Sequence, residues 1–116
     1  MKYAIQVNGA PGPSSSGRNA YDFIRAALAE GHQIVRVFFY RDGVYNGFEG
    51  TLDRGLNPPD WSGLARSHGL DLILCVSAAE RRGLKGMDSS EGFRIGGLGQ
   101  WMDACLKADR VLTFGS

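Results

Sequence analysis

The chain has 116 residues, 43% of them apolar and 22% charged, which is the size and composition of one ordinary globular domain. Thirteen basic against twelve acidic residues leave a net charge of +1, so the electrostatic footprint of a protein that grips nucleic acid or an anionic membrane is excluded. Two cysteines, Cys75 and Cys105, stand far apart and outside any CxxC pattern, and suggest neither a disulfide framework nor a zinc site.

A chain of this length buries roughly 65% of its unfolded surface, enough for a core without metal or disulfides. The first residues, MKYAIQVNG, read as a strand and not as a signal peptide. No apolar run approaches the roughly 20 residues of a membrane helix. The expectation is a single domain over residues 1–116 in a reducing cytoplasm, where a lone cysteine stays a thiol.

Tyr3 to Val7 reads as a first strand, running into a loop from Asn8 to Gly17 that is dense in Gly, Pro and Ser. Ala20, Phe23, Ile24, Ala27 and Leu28 follow helical spacing, and Gly31 closes that helix. Gln33 to Tyr40 is a second strand, with a turn at Arg41-Asp42-Gly43. Asn46 to Asn57 is polar and Gly-rich and reads as loop. Pro58-Pro59-Asp60 begins a short helix carrying Trp61, Leu64, Ala65 and His68, ended by Gly69.

Leu70 to Val76 is the third strand. Behind it, Ser77-x-x-Glu80 has the form of a capping box, Arg81 and Arg82 fall where a helix end favours cations, and Gly83 stops the helix. Lys85 to Gly92 is a polar loop and Phe93-Arg94-Ile95 a short strand. Leu98, Trp101, Met102, Cys105 and Leu106 trace the apolar stripe of a last helix, and Arg110 to Phe114 supplies the final strand. Strands alternating with helices predict a three-layer α/β/α domain with a mostly parallel, flavodoxin-like sheet.

Such a sheet binds ligands at the carboxyl ends of its strands, which is where Cys75 falls. Two readings compete for it. Free cysteine is among the most buried residue types and packs as a small hydrophobe. Thiols at helix N-termini or beside Lys and Arg are also the ones that act as nucleophiles, and Arg81, Arg82 and Lys85 follow closely. Cys105 lies on the last helix's apolar stripe and reads as core. His32 and His68 stand at turn and helix-end positions without metal-ligand spacing. The Asn8–Gly17 loop could cradle a phosphate, but it lacks the GxxxxGK[ST] spacing and Arg18 is its only cation; GGLG at Gly96–Gly99 is no dinucleotide fingerprint. Phe38, Phe39, Tyr40 and Tyr45 cluster at the end of the second strand and read as core or as a subunit contact.

Four stretches together carry a family resemblance: AIQVNGAPGPSSSGRNAYDF near the start, FFYRDGVYN from Phe38 to Asn46, CVSAAERRG from Cys75 to Gly83, and GFRIGGLGQWMDACLKADRV from Gly92 to Val111. The chain resembles the DsrE/TusD-like sulfur-relay proteins over nearly its whole length. The match is weakest from Gly47 to Asp60, where this chain is shorter and more Gly-rich than that pattern.

The resemblance implies a flavodoxin-like fold and a sulfurtransferase that needs no cofactor. It implies a hetero-oligomer with two related small subunits, of TusB/TusC-like or DsrF/DsrH-like type. The cysteine at position 75 would take a sulfane sulfur as a persulfide and pass it to a small carrier protein. The relay would end in 2-thiolation of the tRNA wobble uridine or, in the DsrE branch, serve dissimilatory sulfur oxidation. No role transfers to Cys105, and direct contact with nucleic acid or membrane is not expected. A flavin- or nucleotide-binding module using the Asn8–Gly17 loop, and a scaffold subunit with an inert Cys75, are the competing readings.

Overall fold

The computed structural model describes residues 1–84 and 86–115. Its elements run β1 (Lys2–Val7), α1 (Ser16–Ala29), β2 (Gln33–Phe39), a 3-10 helix (Arg41–Gly47), α2 (Trp61–His68), β3 (Leu72–Cys75), α3 (Val76–Arg81), β4 (Phe93–Gly96), α4 (Leu98–Lys107) and β5 (Arg110–Phe114). All strand pairings are parallel, in the order β4-β3-β2-β1-β5. The chain therefore steps outward from β1 to β4 and then crosses back to lay β5 on the other side of β1. This is the expected α/β class with its own strand order, since flavodoxin itself runs 2-1-3-4-5.

The aromatic run of β2 explains why the sheet is covered on both faces. Adjacent strand residues point to opposite sides. Phe38 stacks on Trp101 of α4, with ring centroids 5.8 Å apart, while Phe39 meets Trp61 of α2 edge-on at 5.0 Å. Both phenylalanines are fully buried. α2 and α4 therefore lie on opposite faces, and the Phe38–Phe39 pair is core.

Local signals set most of the helix ends. The Asp60 carboxylate accepts from the Gly63 N–H at 3.0 Å and caps α2, and Gly69 ends that helix in the left-handed region at φ 66°. Two expectations need correction. The turn after β2 continues as a 3-10 helix through Gly47, into the stretch read as loop. It is held by tertiary contact: Gly43 packs so closely on the Val7 carbonyl that no Cβ would fit there, and Gly47 packs against the Leu74 side chain.

The second correction concerns α4. Leu98, Met102 and Leu106 are 50%, 64% and 85% exposed, so much of the apolar stripe faces outward. Arg36 decides the orientation: its guanidinium donates to the Gln100 carbonyl at 2.8 Å and pairs with Asp103 at 3.0 Å, leaving Trp101 and Ala104 toward the sheet. Arg36 also pairs with Asp71 at 2.6 Å, and Asp71 with Arg94 at 2.9 Å, so a charged cluster ties β2, β4 and α4 to the residue just ahead of β3.

Candidate active site

β3 is a four-residue strand between β2 and β4, and all four of its side chains are buried. Its last residue, Cys75, sits opposite Gly96 of β4. There is no loop behind it. Cys75, with φ −65° and ψ 120°, is itself the N-cap of α3, so the polypeptide passes from strand to helix at the cysteine. The predicted strand-to-helix junction is therefore present, two residues earlier than the Ser77–Glu80 pattern suggests. Ser77 lies inside the helix and no side-chain cap bond forms, so the expected capping box is absent. Gly83 closes the turn at φ 72°.

The sulfur is covered. Cys75 is 1% exposed and belongs to the apolar core cluster, which differs from the open strand end expected of a reactive thiol. The helix that follows the cysteine is lightly held. α3 has six residues, and its buried side chains are only Ala78 and Ala79. Beside it an apolar cavity of about 110 Å³ is lined by Val76, Ala79, Leu84, Phe48, Met87 and Ile95, among others.

The basic residues after the cysteine divide. Arg81 is exposed. Arg82 turns back to the 3-10 helix: its Nε donates to Asp42 at 2.8 Å and its Nη1 to the Ala78 carbonyl at 3.0 Å, which pins the end of α3. Lys85 lies outside the described residues. Cys105 is half-buried on α4, and burial pushes its thiol pKa up. His32 is engaged structurally, with its Nδ1 2.9 Å from the N-terminal amine and its ring edge-on to Tyr3. His68 is exposed at the end of α2. Among the described residues no group of three His, Cys, Asp or Glu side chains could hold a metal, and no helix is long and apolar enough to cross a membrane.

One residue near the site escaped the sequence reading. Asn46 is 1% exposed, donates from Nδ2 to the carbonyls of Gly9 (3.1 Å) and Gly43 (2.9 Å), and accepts from Trp61 Nε1 at 3.3 Å. It joins the loop after β1, the 3-10 helix and α2 behind the carboxyl edge of the sheet. The available signal was the polar residue that ends FFYRDGVYN, directly after Val44 and Tyr45, which join the core or pack against it.

A family model for DsrE/DsrF-like proteins matches residues 1–114. The chain belongs to the DsrE/DsrF-like family. A relative in Allochromatium vinosum named "Putative sulfurtransferase DsrE" is 41% identical, with 99% of each chain covered. That alignment runs over 134 positions against 116 residues here, so the relative carries additional residues. The sulfurtransferase TusD homolog of Vibrio vulnificus is 39% identical, with 98% of each chain covered. The crystal structure of the ychN protein from E. coli superposes with a TM-score of 0.83 at 29% identity, covering 98% of this chain and 99% of that one.

Proposed function

We propose that this member of the DsrE/DsrF-like family is a sulfurtransferase subunit that carries sulfane sulfur on Cys75. The observation that supports it is the placement of Cys75 at the carboxyl end of a central parallel strand and at the first turn of a helix, in a chain that matches named sulfurtransferases over its full length. The chemistry needs one thiol and no cofactor. The Cys75 thiolate attacks the outer sulfur of a donor persulfide, the donor's S–S bond breaks, and the donor leaves as a thiolate. The acceptor thiolate then attacks the outer sulfur of the Cys75 persulfide, and Cys75 returns as a thiolate. Each step exchanges one S–S bond for another, so there is no net oxidation or reduction.

Burial fits a carrier that must hold a labile sulfur away from stray thiols until its partner arrives. Access then comes from displacement of α3, whose grip is small, as a donor or acceptor protein docks. The acceptor is a small sulfur-carrier protein. The chain works in the cytoplasm beside two related small subunits, and its near-neutral charge suits hand-over to protein in place of a grip on tRNA. The destination favoured by the TusD likeness is 2-thiolation of the tRNA wobble uridine. The identity with the DsrE relative favours a second destination, dissimilatory sulfur oxidation.

Mass spectrometry of the intact chain after incubation with a persulfide donor tests the reading. The wild-type chain should gain the mass of one sulfur, removable by a reductant, and Cys75→Ser should gain none. A Cys75→Ser chain that still loads would refute the assignment.

A further inference from the structure

A second site lies at the same carboxyl edge of the sheet, away from the cysteine helix. A cavity of about 420 Å³ opens between the loop after β1 and the segment that joins the 3-10 helix to α2. It is lined by Arg18 and Arg54, by Ser15 and Gly17 at the start of α1, and by Pro13 and Pro59 among others, and no Asp or Glu stands among the described residues that line it. It is bounded by the segments that follow β1 and β2, at the carboxyl end of the strands, the end of an open α/β sheet at which ligands bind.

Arg54 is the telling residue. It is half-buried, its Nη1 and Nη2 donate to the neutral carbonyls of Tyr45 (3.1 Å) and Asn46 (3.0 Å), and it makes no ion pair among the described residues. Burial lowers its pKa, and the charge of Glu49 only partly offsets that. A half-buried cation whose hydrogen bonds all go to neutral carbonyls, with no carboxylate in ion-pair contact, is electrostatically under-compensated; a carboxylate or a bound anion ordinarily completes it. Arg18 donates to the Asn57 carbonyl across the cavity and pairs at 3.4 Å with the exposed Asp22. The Ser16 N–H is taken by Ser14 Oγ at 3.1 Å. The N–H groups of Gly17 and Arg18 meet no acceptor among the described residues.

We propose that this cavity binds a small molecule bearing a tetrahedral oxyanion, either a phosphate monoester or a sulfur oxyanion such as thiosulfate. Two guanidiniums supply the charge and the forked donors that such a group accepts, and the free N–H groups of α1 add to them. The proline walls cover the remainder of the ligand, in a volume within the range of small-molecule sites. The site is independent of the sulfur-transfer reading at Cys75.

Titration of the full chain with sodium phosphate, sodium thiosulfate and adenosine 5′-monophosphate tests it, read by calorimetry and by amide NMR. Saturable binding in the millimolar range or tighter is expected for at least one, with shifts of the Gly17 and Arg18 amides, weakening as salt rises. Arg54→Gln and Arg18→Gln should each weaken it by about tenfold, because each removes a charge-assisted donor. Cys75→Ser should leave it unchanged. Arg18→Gln guards against misfolding of the Arg54 variant, since Arg18 sits at the surface. Tighter binding of the nucleotide identifies a phosphate ester; tighter binding of thiosulfate identifies a sulfur oxyanion. No saturation by about 10 mM of any of the three, or unchanged affinity in Arg18→Gln, would overturn the proposal.

Discussion

If Cys75 works from beneath α3, the rate at which a thiol reagent reaches it should report how firmly α3 is held. The holding terms can be read from the structure. Burial of the Ala78 and Ala79 methyls contributes on the order of 1.5 kcal/mol. The Arg82–Asp42 pair, whose side chains are 22% and 62% exposed, is screened and contributes roughly 0.5 kcal/mol. The Arg82 bond to the Ala78 carbonyl adds about 1 kcal/mol. Together these give about 3 kcal/mol, so roughly one molecule in a hundred is open at a given moment.

In a Cys105→Ala background, which leaves one thiol, Cys75 should therefore react on the order of 100-fold more slowly than in the urea-unfolded chain. Arg82→Gln, which removes the pair and the carbonyl bond, should raise the native rate by about tenfold while moving the global urea midpoint much less. The assay is pseudo-first-order labelling with an aromatic disulfide, followed by absorbance. The competing mechanism is global unfolding. A domain of ordinary stability, about 5–15 kcal/mol, would then protect the thiol by roughly 10⁴-fold or more. Protection of that size, with Arg82→Gln accelerating labelling only as far as it lowers total stability, would refute the view that α3 is the door.

Cys105→Ala should load and release sulfur at wild-type levels when mass gain is followed with time, because Cys105 lies on α4 and outside the junction; loss of loading would mean that the second thiol takes part. Asn46→Ala should cost about 2–3 kcal/mol, since it orphans the Trp61 N–H in the core, and should lower the melting temperature by on the order of 10 °C. A shift under about 2 °C would show that Asn46 is no structural hub. For Asp71, burial alone raises the pKa, but hydrogen bonds from Arg94 and Arg36 overcome it and hold the carboxyl below its ordinary value. Its stabilising contribution is thus complete above the unfolded-state pKa and is lost as pH falls through the depressed one. Urea melts of Asp71→Asn and wild type should therefore differ most near neutral pH and converge below about pH 4, whereas a deficit constant across that range would count against the charged cluster.

Elements whose causes are local were legible in the sequence. Asp60 before Trp61, Gly69 after His68 and the period of Ala20, Phe23, Ile24 and Ala27 each act within a few residues, and the observed helices follow them. The 3-10 helix was not legible, because Arg41–Gly47 has no apolar period and takes its shape from Val7 and Leu74, distant in sequence. The apolar stripe of α4 gave the right helix and only part of its buried face, since Trp101 packs on Phe38 while Leu98, Met102 and Leu106 face outward. Both Trp101 and Leu98 are large apolar residues, and the choice between them is made by Arg36 on another element. At the candidate site the junction at Cys75 was legible; burial was one of the two readings open for its side chain, and the residues alone did not choose between them. A strand-end cysteine is covered or open according to what the following helix does, and here the helix begins at the next residue.

That burial bears on what a sulfur carrier must achieve. A persulfide is more easily attacked than a thiol is, so a carrier exposed at all times would lose its sulfur to any small thiol that diffused in. One buried beyond reach would never deliver. The useful regime lies between these, where opening costs a few kcal/mol and a docking partner can supply that amount by binding the open form preferentially. α3 meets this condition through its composition. Two alanines, one side-chain bond to a backbone carbonyl and a half-exposed ion pair hold it, a small anchor for a helix of six residues. Among the described residues the charged cluster of Arg36, Asp71, Arg94 and Asp103 includes no residue of α3, so displacement of α3 breaks none of the ion pairs that tie the strands together.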